Sequence, residues 1–210
     1  MKKVLLIALA LISCFAAEAQ LRTIKPKWTY KVPNISHSEY MKMVPSHTPD
    51  DYQLFWDLYF SDGYGTVDSI TASSTLSSQG AHSYRAANLK DSNIETAWVE
   101  GVSGYGVGQW IKYQGVRQEQ ISRIHILNGY VKSDKAWSEN ARVKRLKVYR
   151  DGRPLCILEL QNSRSLQTFR LPWAGDCSYI NRLRFEILEV YPGTKYQDTV
   201  ISEIYFTAAP

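Results

Sequence analysis

From about residue 67 the chain alternates short apolar, β-branched runs with clusters of Gly, Asn, Asp and Pro. Runs such as "TVDSITAS", "GQWIKYQ", "ISRIHILNGY", "RVKRLKVYRDG", "LCILELQ" and "INRLRFEILEVY" have strand length and strand composition. Their spacing predicts an all-β antiparallel sandwich or barrel. In "LRFEI" the period is two, which puts Leu183, Phe185 and Ile187 on the core side and Arg184 and Glu186 on the solvent side. Asp151-Gly152 falls where a tight hairpin turn is required. Strands never alternate with helices, which argues against a nucleotide-binding α/β fold.

Upstream the period changes. In "HTPDDYQLFWDLYFSDG", Leu54, Phe55, Leu58 and Tyr59 form one apolar stripe, Thr48 is a good N-cap and Pro49 suits the first helical position. This predicts a helix over 49–61. Residues 20–47 are irregular, with Pro26, Pro33 and Pro45 between Trp28, Tyr30 and Tyr40, and read as an arm packed on the main body. The first 19 residues differ again: Lys2 and Lys3, an apolar run to about Ala16, then Ala17-Glu18-Ala19 before Gln20. That is the pattern of a secretory signal peptide, and the run is too short for a spanning helix. Leu11-Ile12-Ser13-Cys14 offers a second reading, an outer-membrane lipoprotein acylated at Cys14. No other stretch is apolar enough to predict a membrane span.

Composition adds little to this. Charged residues at 21% and hydrophobic residues at 44% suit a folded core rather than a disordered chain. Loss of Lys2, Lys3 and Glu18 with the leader takes the net charge from +5 to +4. Such mild basicity, in an exported chain, argues against a nucleic-acid partner. Cys156 and Cys177 would close a loop of about 21 residues if paired, a bridge of about 3 kcal/mol, or Cys156 in "PLCILEL" is a free buried thiol. Arg142, Lys144, Arg145, Lys147, Arg150 and Arg153 crowd one strand, read as a charged sheet edge or an attractor of acidic ligands.

The ordered series "ITASSTLSS", "YRAANLKDSNIETAWVEG", "GVGQWIKYQ", "ISRIHILNGYVKS", "NARVKRLKVYRDG" and "TKYQDTVISEIYF" resembles the discoidin domain, or coagulation factor V/VIII type C domain, over residues 67–207. The stretches "AWVEGVSGYGVGQWI", "NGYVKS" and "ARVKRLKVY" are especially similar to the bacterial variant named for translocation of NAD glycohydrolase toxins. The resemblance implies an eight-stranded antiparallel jelly-roll sandwich of galactose-binding type. It implies binding of glycans, lipid head groups or proteins through loops at one end, and the variant's name does not imply NAD hydrolysis. The chain then divides into a leader (1–19), an arm with one helix (20–66) and the sandwich (67–207).

The loop "ANLKDSNIETAW", 87–98, is rich in side-chain oxygen. The resemblance implies a structural calcium there, held by Asp91, Asn93, Thr96 and distant Glu203 with backbone carbonyls of the Ala87–Asn88 stretch, although Ser92 stands where glycine is common and Asn93 removes a charge. The residues alone equally fit a turn in which Asp91 and Asn93 cap their own backbone. A third reading, a glycosidase pair among Asp91, Glu95, Glu100 and Glu203, lacks anything that singles out two of them. His37, His47, His82 and His125 have no metal-binding spacing. His125 sits mid-strand between isoleucines and reads as structural, and Trp98 and Trp110 read as core. For a ligand, Trp137 in "NGYVKSDKAWSEN" is the expected aromatic platform, or else a cap on the sandwich end. Tyr130, Lys132 and Asn140 are the expected orienting groups, joined by Tyr105 and Tyr64 from neighbouring loops.

The expected function is therefore an exported, non-catalytic module recognising carbohydrate or another cell-surface ligand. A protein-interaction or toxin-delivery accessory is the alternative, and a hydrolase the remote one.

Overall fold

Among the described residues, eleven strands hydrogen-bond into one continuous sheet that folds over on itself. The computed structural model describes residues 21–33, 38–39, 67–116, 121–171 and 180–208. The leader over 1–19, the helix expected at 49–61, Tyr64 and Cys177 lie outside the described residues. The strands are β1 (Thr23–Ile24), β2 (Trp28–Lys31), β3 (Ser69–Ala72), β4 (Trp98–Val99), β5 (Trp110–Val116) and β6 (Ile121–Asn128), then β7 (Ala141–Arg150), β8 (Arg153–Glu159), β9 (Ser165–Arg170), β10 (Ile180–Tyr191) and β11 (Thr199–Ala208). The smaller layer runs β2-β9-β6-β11 and the larger β8-β7-β10-β5-β3. β11 belongs to both: Glu203–Ala208 pair antiparallel with β6, while Thr199 and Val200 pair in parallel with β7. This is the all-β jelly-roll sandwich expected.

The core lies between the layers. Tyr113 of β5 meets Phe206 of β11 edge-on at 5.0 Å and Phe185 of β10 at 5.9 Å. Its hydroxyl crosses the sandwich to donate to the Ile204 carbonyl at 2.8 Å, so a phenol sits in the core with its polar atom satisfied. Leu183, Phe185 and Ile187 are buried and Arg184 and Glu186 point out, as the period of two requires. The β7–β8 hairpin turns at Asp151 and Gly152, both at positive φ (49° and 86°), the backbone of a type I′ turn. Trp98 is fully buried, whereas Trp110 stands half-exposed on the outer face under Lys112.

Two arrangements differ from the sequence reading. The basic strand β7 is no edge: β8 and β10 flank it. Its cations lie on rings and acids, Arg142 over Trp137, Lys147 over Tyr149, and Lys144 against Glu189. Charge pattern alone does not reveal neighbours, and amphipathic stems let cations cover an interior strand. The edge is guarded instead by the arm. β1 pairs with β8 and, only three residues later, β2 pairs with β9, so the arm bridges the open side of the sandwich. Cys156 is a free thiol buried in β8, and burial pushes its pKa up to about 12. Among the described residues no helix is long and apolar enough to cross a membrane.

His125 is a core residue. Its ring nitrogens meet the Thr168 and Thr207 hydroxyls at 2.9 and 2.8 Å, and Tyr205 stacks on it at 4.8 Å. Burial, aided by Arg123, lowers its pKa from 6.5 to about 3. The unfolded imidazole therefore takes up a proton below 6.5 while the folded one does not until about 3. Stability present above pH 6.5 is lost as pH falls towards 3. His125→Gln is expected to flatten this part of the stability–pH curve, measured by urea denaturation across that range.

Candidate functional site

The loop before β4 starts with a 3-10 turn, Ala86–Lys90, pinned by Asn88, whose amide donates to the Ser83 and Ala97 carbonyls at 2.7 and 2.9 Å. Beyond it the chain caps itself. The Thr96 hydroxyl lies 2.7 and 2.9 Å from the two Asp91 oxygens, and the Asn93 N–H donates to Asp91 at 3.1 Å. The Asn93 side-chain oxygen accepts from the Glu95 N–H at 3.0 Å. Ser92, at φ 57°, takes the left-handed turn that glycine would ease. Glu203, 1% exposed on β11, accepts from the Asn93 N–H at 3.3 Å. The four expected metal residues are thus brought together, but bonded to one another.

A calcium ion needs six to eight oxygens. Here Asp91 and Glu203 are the carboxylates brought together, and both Asp91 oxygens are engaged. Lys90, half-buried, adds a positive charge: burial lowers its pKa and the Glu203 carboxylate works against that lowering. Among the described residues no three His, Cys, Asp or Glu side chains group as a metal cluster. The Asp91 and Glu203 carboxylates, the Thr96 hydroxyl and the Asn93 oxygens are hard oxygen donors of the kind calcium takes, here bonded to one another or to the loop backbone. Glu100 is fully buried, accepts from the Val102 and Thr199 N–H groups at 2.9 and 3.3 Å, and has its pKa raised by burial. Glu100 and Glu203 are enclosed structural acids, whereas a glycosidase pair must flank an open cleft.

The expected ligand residues separate. Trp137 sits in a short helix, α1 (Asp134–Glu139), which Ser133 caps by accepting from the Ala136 N–H at 3.1 Å. Its indole N–H donates to the Asn128 carbonyl at 2.9 Å, and Arg142 lies 4.5 Å from the ring centre. The contact requires Gly129: a β-carbon there would lie 2.8 Å from Trp137 Cδ1 and 2.6 Å from Arg142 Cγ. Trp137 is therefore half-buried and engaged, not the open platform expected. Asn140 closes the helix through the Ala136 carbonyl at 2.9 Å. Tyr105, half-buried, offers its backbone carbonyl to Thr199 at 2.8 Å and lines neither hollow described next.

Tyr130 and Asn140 do meet, at a cavity of about 230 Å³ that they share with Tyr84, Tyr196, Gln79 and Asp198. Leu76 and Val99 complete its lining and belong to a small apolar cluster that also holds Ala97 and Val200. Tyr196 is 41% exposed, while Tyr84 and Tyr130 are each 9% exposed. Burial, and then each other or neighbouring acids, raises the pKa of Tyr84 and Tyr130, so both remain neutral phenols. A second, polar hollow of about 440 Å³ lies beside it, lined by His82, Asn93, Glu95, Thr96, Lys132 and Ser133. Tyr130 joins the two: its hydroxyl donates to the Glu95 carbonyl at 3.2 Å and Lys132 lies 4.8 Å over its ring. Sequence reasoning missed Tyr84, Tyr196, Gln79 and Asp198. The available signal was Tyr196, an aromatic in the polar, strandless stretch "GTKYQD".

Residues 59–207 match the family model described as the NAD glycohydrolase translocation F5/8 type C domain. Among solved structures, the CBM32-1 and CBM32-2 domains of Clostridium perfringens ZmpB align at 9% identity with a TM-score of 0.51 over 89% of this chain and 41% of that one. The same domains with the M60 catalytic domain align at 10% identity and 0.51, over 91% of this chain and 17% of that one. This chain therefore spans less than half the length of either. The family 32 CBM of C. perfringens NanJ in complex with galactose aligns at 14% identity and 0.47, over 66% of this chain and 91% of that one. Comparison with curated proteins finds no match.

Trp137→Phe keeps an aromatic face but removes the indole N–H, leaving the enclosed Asn128 carbonyl without that donor. It is expected to cost about 1–3 kcal/mol, read from chemical denaturation.

Proposed function

The chain belongs to the NAD glycohydrolase translocation F5/8 type C domain family, and from that premise we propose that it is an exported, non-catalytic module that binds carbohydrate in the tyrosine-lined cavity. The observation that carries the reading is the lining itself: three tyrosines with Asn140, Gln79 and Asp198 around one small hollow. Sugar rings pair an apolar C–H face with a rim of hydroxyls. Aromatic faces take the first, and amide or carboxylate groups fix the second. Tyr196 is the exposed platform, while Tyr84 and Tyr130 supply neutral hydroxyls from a firm floor. Trp137 and Arg142 hold the rim in place. A longer glycan runs across Tyr130 into the polar hollow, where Lys132 and His82 meet its next unit. Glu100 and Glu203 serve the scaffold, which supports binding without hydrolysis.

The translocation in the family's description favours a second reading, a delivery module whose ligand is another protein. A glycan array separates the two. Wild-type protein is expected to bind a set of glycans, and Tyr196→Ala to weaken that binding tenfold or more while melting at the wild-type temperature. No glycan bound, together with a protein partner captured from the native envelope, would replace the carbohydrate reading with the delivery one.

A further inference from the structure

Helix α1 ends beside the tyrosine-lined cavity, and its last carbonyls find no N–H further along the helix. Each is taken up from outside. The Asn140 side-chain amide donates to the Ala136 carbonyl at 2.9 Å. One guanidinium nitrogen of Arg142 lies 3.4, 3.4 and 2.8 Å from the carbonyls of Trp137, Ser138 and Asn140, a cation at the negative end of the helix. The Asn162 side-chain oxygen accepts from the same guanidinium at 3.0 and 3.3 Å and holds it there. The remaining donors come from a distant part of the chain. The Thr194 N–H and hydroxyl reach the Ser138 carbonyl at 3.0 and 3.1 Å. The Lys195 and Tyr196 N–H groups both reach the Glu139 carbonyl, at 3.1 and 2.8 Å. At the end of this segment the direction reverses, and the Ala141 N–H donates to the Asp198 carbonyl at 3.0 Å.

The approach is close. At Gly193 a β-carbon would strike the Glu139 carbonyl oxygen and lie 2.5 Å from the Asn140 carbonyl carbon and 2.6 Å from the Tyr196 carbonyl oxygen. These are backbone atoms, which cannot swing aside as the tip of a long side chain can. Gly193 does not take a positive φ, so the glycine answers this contact and not a turn. We infer that the carbonyl end of α1 is a seat for residues 193–198 and that Gly193 is the positioning residue that lets them dock. Tyr196 and Asp198 ride on the docked segment, Asn140 belongs to the seat, and all three line the one cavity. Docking therefore sets the span across which a ligand is held, before any ligand arrives. The consequence for a ligand rests on the carbohydrate reading; the seat itself does not.

The test is amide hydrogen exchange on the full chain, followed by sugar binding. Gly193→Ala is expected to speed exchange at Thr194, Lys195 and Tyr196 about tenfold, with the Tyr113, Phe185 and Phe206 amides at wild-type rates and the melting temperature little changed. Thr194→Val keeps the shape and removes the hydroxyl donor. It is expected to speed the same amides less, and it decides the matter if Gly193→Ala does not fold. With free hexoses and N-acetylhexosamines as probes, Gly193→Ala is expected to weaken whichever sugar the wild type binds by about fivefold. Unchanged exchange at 194–196, acceleration spread through the core strands, or local acceleration with sugar affinity kept at the wild-type value would each overturn the positioning role. If the wild type binds no sugar, the carbohydrate reading falls, and the seat stands or falls on the exchange rates alone.

Discussion

Strand β11 is hydrogen-bonded into both layers of the sandwich, and each functional part of the molecule is referred to it. Its C-terminal half brings Phe206 against Tyr113 and Phe185, the contact that locks the layers together. Its middle presents Glu203 to the loop over 87–98. Its first residues, Thr199 and Val200, receive β4, β7 and the Glu100 carboxylate, which sets the floor beneath the tyrosine cavity. A strand shared in this way transmits position rigidly, since interiors are packed as densely as organic crystals. Loops at one end can then vary in chemistry while their roots stay fixed.

The division between scaffold and site follows from burial. The acids that looked catalytic on paper, Glu100 and Glu203, are enclosed and spend their oxygens on backbone N–H groups. The tryptophan with the most inviting sequence context spends its N–H on Asn128 and lies under Arg142. What remains open is a set of side chains around a small hollow, half apolar and half polar, with neutral phenols at its base. The proposed binding of a hydroxyl-rich ligand rests on this lining.

Much of this was legible in the chain. The period of two in β10, the Asp151-Gly152 hairpin, the buried Trp98 and the structural His125 follow from local rules that the fold obeys. The meeting of Asp91, Asn93 and Thr96 with Glu203 followed from family resemblance, because no local rule joins positions so far apart. Other features had no local signal. Nothing in "RTIK" or "KWTYK" says that β1 and β2 will pair with β8 and β9. The cations of β7 read as an edge because a one-dimensional pattern does not show which rings and acids will lie beside them. Trp137 read as exposed because its neighbours are polar, whereas its exposure is set by Arg142 and the glycine at 129. Tyr84 and Tyr196 lie far apart in the chain and converge only through β11 and the loops at its start.

The most direct test of the account is an amide chemical-shift titration of the isotope-labelled protein with a panel of free monosaccharides. The account predicts that at least one sugar shifts a single contiguous set of amides around Gln79, Tyr84, Tyr130, Asn140 and Tyr196–Asp198, with the outer face of the larger sheet unmoved. Shifts centred on that outer face, around Trp110, Lys147 and Tyr149, or no shift with any sugar, would contradict it.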